Sequence, residues 1–151
     1  MNNKKLNLAV IALIVIAAFL TATTYAAIST SQTLTSSGTV NVSANLSVFS
    51  DAACTAPLSS FSWGSLSPGS TTNQTIYVKN TGSGVSLTLS MAASNWSPSG
   101  ANSYITLTWN PTSNTLSPGA STKAVITLTV SSTIVDIQNF NVQIAINGAG
   151  T

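Results

Sequence analysis

Beyond residue 40 the chain alternates apolar and polar residues with a period of two, the pattern of β-strands that bury one face. No segment after the first two dozen residues carries the apolar stripe of an amphipathic helix. Together with a short element around Phe61 and Trp63, the pattern predicts about seven core strands in one all-β sandwich domain. The alternating segments are residues 40–48, 75–79, 85–91, 105–109, 124–130 and 140–146.

Turn signals separate these strands. Asn80-Thr81-Gly82-Ser83-Gly84 predicts a hairpin, because glycine supplies the positive φ of a tight reversal. Leu66-Ser67-Pro68-Gly69 and Leu116-Ser117-Pro118-Gly119 both have the Pro-Gly order of a type II turn. The two copies are explained equally well by an internal repeat of about 50 residues and by coincidence, since Pro-Gly turns are common.

The first residues predict export. Lys4 and Lys5 precede an apolar run from Leu8 to Leu20, and small residues follow at Thr24-Tyr25-Ala26. This order is typical of a Sec signal peptide, which we expect to cover residues 1–26 and to be cleaved near Ala26 or Ala27. The alternative is a retained membrane anchor over residues 6–27, as in a type IV pilin-like protein.

Removal of this leader leaves a chain with almost no charge. Its charged residues are Lys79, Lys123, Asp51 and Asp136, and the sequence contains no His, Glu or Arg. General acid–base catalysis, metal binding and phosphate recognition all use the missing residue types, so we expect no enzyme activity, no cofactor, no metal site and no nucleic-acid partner. A neutral surface rich in Ser and Thr fits a protein that packs into an assembly or carries sugar.

Four further residues are candidates for packing or binding. Cys54 is the single cysteine, which excludes an intramolecular disulfide and favours a small buried side chain. Trp63, Trp96 and Trp109 could form a sugar-binding platform, although aromatic side chains this far apart more often fill a core.

Four sequons provide candidate N-glycosylation sites, at Asn41, Asn45, Asn73 and Asn95. The alternation places the first three on outward positions of their strands, where a glycan could be tolerated.

The segment from Ile28 to Thr39 separates the functional hypotheses. It is rich in Ser and Thr, and Ile28 and Leu34 are its two large apolar residues. Such a weakly anchored strand could leave its own domain, with Gly38 as the hinge, and add to the sheet of another molecule. The alternative, equally compatible with the residues, is the first edge strand of the same domain.

Several motifs, taken in order, resemble the small exported β-sandwich proteins of archaea. The chain is similar to archaeal bundling pilins and, more distantly, to the TasA and camelysin biofilm-matrix proteins of bacteria. The motifs that carry the resemblance are residues 28–32, 48–55, 61–69, 77–82, 95–98, 104–109 and 116–119, together with Phe140.

The resemblance implies an immunoglobulin-like or jelly-roll sandwich over residues 40–151 that polymerises by donor-strand complementation. Residues 27–39 would form the donor strand and hinge. The donor would be about residues 27–35, anchored by Ile28, Thr30, Gln32 and Leu34.

We therefore expect a structural subunit, a pilin, of an extracellular filament such as a bundling pilus or biofilm-matrix fibre. Its partners would be further copies of itself, with other filaments or cell surfaces as further candidates. It would meet the membrane only through the signal peptide during export. The alternative is a membrane-anchored β-sandwich surface or envelope protein that retains its N-terminal helix.

Overall fold

A computed structural model describes residues 34–42 and 45–151. The predicted signal peptide and the predicted donor segment up to residue 33 lie outside these residues. The described part contains a short 3₁₀ helix at Ser99–Ser103 and nine strands. These are β1 (Leu34–Val42), β2 (Leu46–Phe49), β3 (Ser60–Leu66), β4 (Thr71–Asn80), β5 (Leu87–Ser97), β6 (Ile105–Pro111), β7 (Thr115–Leu116), β8 (Ser121–Val130) and β9 (Asn139–Gly150).

The strands form two sheets that pack face to face. The five-stranded sheet has the order β3-β1-β9-β5-β7, and the four-stranded sheet has the order β2-β4-β8-β6. Side chains alternate between buried and exposed along β8 and along most of β9, and the buried faces of both sheets meet in one core. The predicted all-β sandwich is confirmed, with nine strands in the described residues instead of about seven.

The core is mainly aliphatic and draws on both layers. Its largest fully buried apolar side chains are Phe140, Leu34, Ile76, Ile105, Ile126, Leu128, Ile144, Ile146, Val78 and Val130. Burial of this apolar surface is the main force that holds the two sheets together.

The prediction of a single strand over residues 40–48 is wrong. Val40 belongs to β1 in one sheet, whereas Leu46 and Val48 belong to β2 in the other. Asn45 has a left-handed φ of 67°, a conformation that asparagine tolerates and that interrupts a strand. The alternation survives the crossing because the inner faces of both sheets point into the same core.

The hairpin predicted at residues 80–84 is also wrong, because β4 and β5 lie in different sheets. The side chain of Asn80 is fully buried and holds this crossing. Its Nδ2 donates to the carbonyls of Val85, at 2.9 Å, and Leu116, at 3.1 Å, and its Oδ1 accepts from the Gly82 amide at 3.0 Å. The strand predicted from residue 85 begins at Leu87, after this crossing.

Both Pro-Gly turns have the predicted geometry. Gly69 and Gly119 have φ values of 78° and 77°, and the Ser70 amide donates to the Ser67 carbonyl at 3.0 Å. The Ala120 amide donates in the same way to the Ser117 carbonyl at 3.0 Å. Each turn carries the chain from the edge of the five-stranded sheet into the middle of the four-stranded sheet.

The topology favours a repeat over coincidence. Strands β1 to β4 and β5 to β8 alternate between the sheets in the same way; β3 and β7 form the two edges of one sheet, and β2 and β6 those of the other. Strands β4 and β8 start fifty positions apart, have the same length and pair with each other, with Thr75 opposite Val125. The sandwich is therefore two similar four-strand units joined by β9.

Replacing Asn80 by alanine should lower the free energy of unfolding by about 3 kcal/mol, because two buried carbonyls and one amide lose their partner. Asn73→Ala is the matched control on the same strand, since Asn73 is exposed, and should change it by about 0.5 kcal/mol or less. Urea denaturation of both variants measures the difference. Equal effects would show that Asn80 does not hold the crossing.

Candidate assembly strand and modification sites

Strand β1 occupies an interior position in its sheet. It pairs antiparallel with β3, with Leu34 opposite Leu66, and parallel with β9, with Thr35 opposite Asn139. The pair with β9 is the one parallel pair within residues 34–42 and 45–151. Within the described residues, the chain connects β1 to the rest of the sandwich through the short link between Val42 and Leu46.

The inner face of β1 is poor in apolar groups. Leu34 is fully buried and Val40 nearly so, but Ser36 and Gly38 stand between them. The Ser36 Oγ is buried and has no hydrogen-bond partner in the described part of the protein. Phe61 covers Gly38, since a Cβ placed on that glycine would lie 3.4 Å from the ring. This face contributes less to the core than the corresponding faces of the neighbouring strands.

The predicted donor residues fall on both sides of Leu34, the first residue that the structure describes. Leu34 is buried in the core of its own chain, whereas Ile28, Thr30 and Gln32 lie outside the described residues. The predicted cleavage site at Ala26 and Ala27 also lies outside them. Gly38 stands within β1, opposite Phe61 and Val142, so the flexible point suggested there falls inside a paired strand.

The outer face of the five-stranded sheet carries rows of hydroxyl and amide side chains. Thr35 Oγ1 donates to Asn139 Oδ1 at 2.6 Å, and Ser37 Oγ makes the same contact with Asn141 one row further along. These cross-strand pairs hold β1 to β9 by their side chains as well as by the ladder.

The few charges of the described residues lie elsewhere. Lys79 and Lys123 stand on the four-stranded sheet, on adjacent strands β4 and β8. Asp51 lies in the loop after β2, and Asp136 lies in the loop before β9. The outer face of the five-stranded sheet therefore carries no ionisable side chain in the described part, and electrostatic repulsion does not oppose contact with a second copy.

The four sequons have different surroundings. Asn41 lies in β1, where its side chain is not described. Asn45 is exposed in the left-handed link before β2, and not on a strand as predicted. Asn73 faces outward from β4 as predicted, and its Oδ1 accepts from Thr127 Oγ1 at 2.7 Å. Asn95 is exposed, with a φ of 52°, and its Nδ2 donates to the Gln143 side chain. Asn45 and Asn73 are the more accessible, because their amide nitrogens donate no hydrogen bond to a side chain in the described part of the protein.

The three tryptophans have packing roles. Trp63 is buried and meets Phe61 edge to face, with ring centroids 4.9 Å apart. Trp96 is half-buried and stacks on Phe140 with centroids 6.0 Å apart. Trp109 is half-buried on the edge strand β6. The three rings therefore do not form a common platform.

Asp51 organises the loop between β2 and β3. Its carboxylate accepts hydrogen bonds from the amides of Ala56, at 2.8 Å, and Thr55, at 3.0 Å, and from Thr55 Oγ1 at 2.8 Å. The Ala56 amide and then the Thr55 hydroxyl lower the pKa of the carboxyl group below its usual value. Cys54 lies in the same loop with a φ of 55° and is half-buried, so the full burial predicted for it is wrong.

Comparison with other proteins assigns no family. No protein-family model matches this sequence, and no curated protein is significantly similar to it. Nowhere in the described part of the chain do three His, Cys, Asp or Glu side chains come close enough to hold a metal ion. Among the same residues, no helix has the length and apolar character required to cross a bilayer.

Replacing Ser36 by alanine should raise the free energy of unfolding by about 1 kcal/mol, because it removes a buried hydroxyl that has no partner. Leu34→Ala should lower it by about 3 kcal/mol, because it opens a cavity under the same strand. Ser65→Ala, at an exposed position of the neighbouring strand β3, is the matched control and should change it by about 0.5 kcal/mol or less. Thermal and urea unfolding measure all three, and a destabilised Ser36→Ala would contradict this account of the inner face.

Asp51 should make the loop between β2 and β3 sensitive to acid. A carboxyl group whose pKa is lower in the folded state stabilises the fold above its ordinary pKa of 3.8 and loses that contribution as the pH falls from there through the folded pKa. Asp51→Asn should therefore be less stable than the natural protein at pH 6, and the difference should shrink by pH 3. Urea titrations at the two pH values measure it; a constant difference would contradict the assignment.

Proposed function

We propose that the protein is an exported structural subunit that polymerises into an extracellular filament by exchanging its first strand between copies. The surface chemistry supports an assembly, because a chain with two lysines and two aspartates after residue 26 opposes self-association weakly. The geometry of β1 supports the mode of assembly.

The observation that carries the proposal is the position of β1. It lies inside a sheet, between β3 and β9. Within the described residues, the chain connects it to the other strands through one short link after Val42. Because that link is the connection of β1 to the sandwich within the described residues, β1 can leave this position without unthreading any other described strand. The same slot in a second copy offers the same main-chain ladder and the same contacts, so exchange costs little beyond bringing the copies together.

Exchange also agrees with the inner face of the strand. Ser36 and Gly38 contribute little burial, which lowers the barrier to removing β1 from its own core. Leu34 then acts as the anchor that any receiving copy must bury. In this proposal the exchanged strand extends to Val42, and the hinge is the link before Leu46 instead of Gly38.

A pair of cysteines across β1 and β9 distinguishes exchange from a closed monomer. Thr35 and Asn139 stand opposite each other with their side chains in contact, within reach of a disulfide. In a mature chain with Cys54→Ala, the double variant T35C/N139C should form disulfides between copies when assembled. Denaturing electrophoresis without reductant should show a ladder of covalent multimers that reductant collapses to monomer.

T35C alone is the matched control and should give dimers at most. Electron microscopy of the same samples should show fibres. A disulfide formed within single chains, with fibres still present, would contradict strand exchange. A monodisperse monomer without fibres from the natural mature chain would contradict the filament itself.

A further inference from the structure

Strand β5 has a free main-chain edge on the side away from β9. Strand β7 pairs with only its first two residues, and the Leu89 amide then donates to the Asn114 carbonyl at 2.7 Å. Because successive residues of a strand point to alternate sides, the amide and carbonyl groups of Met91 and Ala93 point the same way as those of Leu89. In the described part of the chain, no other strand lies on that side of β5.

The internal repeat shows what this edge lacks. In the first unit, β3 pairs with six residues of β1, Leu34 to Thr39, and contributes the buried Trp63 to the core. In the second unit, β7 has the corresponding place but is two residues long. The link before β7 is held to β8 instead, because the Ser113 amide donates to Thr122 Oγ1 at 3.0 Å. The second unit therefore lacks most of the strand that would cover β5.

The side chains beside this edge are incompletely covered. Ala93 stands opposite the fully buried Ile144 of β9, so it belongs to the inner face, and Met91 shares that face. Ala93 is nevertheless exposed, and Met91 is half-buried. In the facing sheet, Leu107 and Trp109 of the edge strand β6 are half-buried too. Within the described residues, the sandwich thus has an open side between β5 and β6, with apolar side chains along both strands.

The open edge lacks the residues that usually protect one. Residues 90–94 read Ser-Met-Ala-Ala-Ser, with none of the charges or prolines that keep a second strand from adding to an edge. Asn114 limits this stretch at one end, and at the other the chain bulges at Asn95, which has a φ of 52°. Residues 90–94 therefore form a short, regular and neutral edge.

We propose that two copies of the protein pair side by side through residues 90–94 of β5, antiparallel and about a two-fold axis. The stretch matches itself in this direction, because Ala92 then faces Ala92 of the other copy and Met91 faces Ala93. Each Met91 and the Ala93 opposite it exchange both main-chain hydrogen bonds that the free edge offers. The Met91 side chain also covers that exposed alanine, as Trp63 covers the first unit.

This pair goes beyond the proposed filament and does not depend on it. Strand β9 separates β5 from β1, and the link after Val42 is no part of the open edge. Strand β1 can therefore stay in its own sheet or be exchanged while β5 pairs. A two-fold contact uses the same surface on both copies and closes, so it joins two copies side by side and does not lengthen a fibre.

Cysteine cross-links test the pairing and its register. In the mature chain with Cys54→Ala, Ala92→Cys places the two thiols beside the axis, where the α-carbons are close enough for a disulfide. Oxidation should give a covalent dimer about tenfold faster than for the matched control Ser65→Cys, on the other edge strand of the same sheet. Ser90→Cys and Ser94→Cys should each give little dimer alone and about tenfold more when mixed, because Ser90 faces Ser94 across the axis.

Denaturing electrophoresis without reductant measures the dimers, circular dichroism verifies that each variant is folded, and electron microscopy records fibres in the same samples. If Ala92→Cys cross-links no faster than Ser65→Cys, the pairing is overturned, while fibres in those samples would leave the filament intact. A disulfide between Ala92→Cys and Thr30→Cys, in place of the Ala92→Cys dimer, would also overturn it and assign the edge to the N-terminal segment. Ala92→Cys dimers in samples without fibres would support the pairing and contradict the filament.

Discussion

The pairing of β1 with β9 is the constraint on which the rest of the sandwich depends. Strand β9 is the middle strand of the five-stranded sheet and lies between β1 and β5, which run in opposite directions. It can therefore be antiparallel to only one of them. Strand β1 receives the parallel pairing, which is slightly less stable per residue, and Ser36 and Gly38 interrupt the apolar side chains of its inner face.

This weak strand is nevertheless indispensable. Strand β3 pairs with no strand other than β1 in the described part, so an empty β1 slot would detach β3 and expose Phe61 and Trp63. Unpaired main-chain groups and uncovered aromatic rings are both costly in water. The position between β3 and β9 must therefore be filled by the protein's own β1 or by the β1 of another copy. The sandwich thus holds its own β1 weakly but requires some strand in the position between β3 and β9. These two conditions favour exchange of β1 between copies.

The sequence predicts the strands better than their arrangement. Alternation identifies Ile126 and Ile144 as core residues because a period of two is a local property. It does not reveal that the chain changes sheets at Asn45 and at Asn80, because inner faces of both sheets give the same pattern. The pairing of β1 depends on residues more than a hundred positions away, so it could not be predicted locally. The sequence identifies Leu34 as one of the two large apolar residues of its segment, but Ser36, a polar residue at an inward position, carries no signal in so Ser-rich a segment.

Strand exchange alone would leave the order of copies poorly specified. Main-chain hydrogen bonds are alike for all sequences, and the hydroxyl and amide rows beside β1 could pair in several registers. A neutral surface makes this worse, because it repels no wrong arrangement. Leu34 supplies part of what the ladder lacks, because a shift of one residue would turn its side chain away from the core.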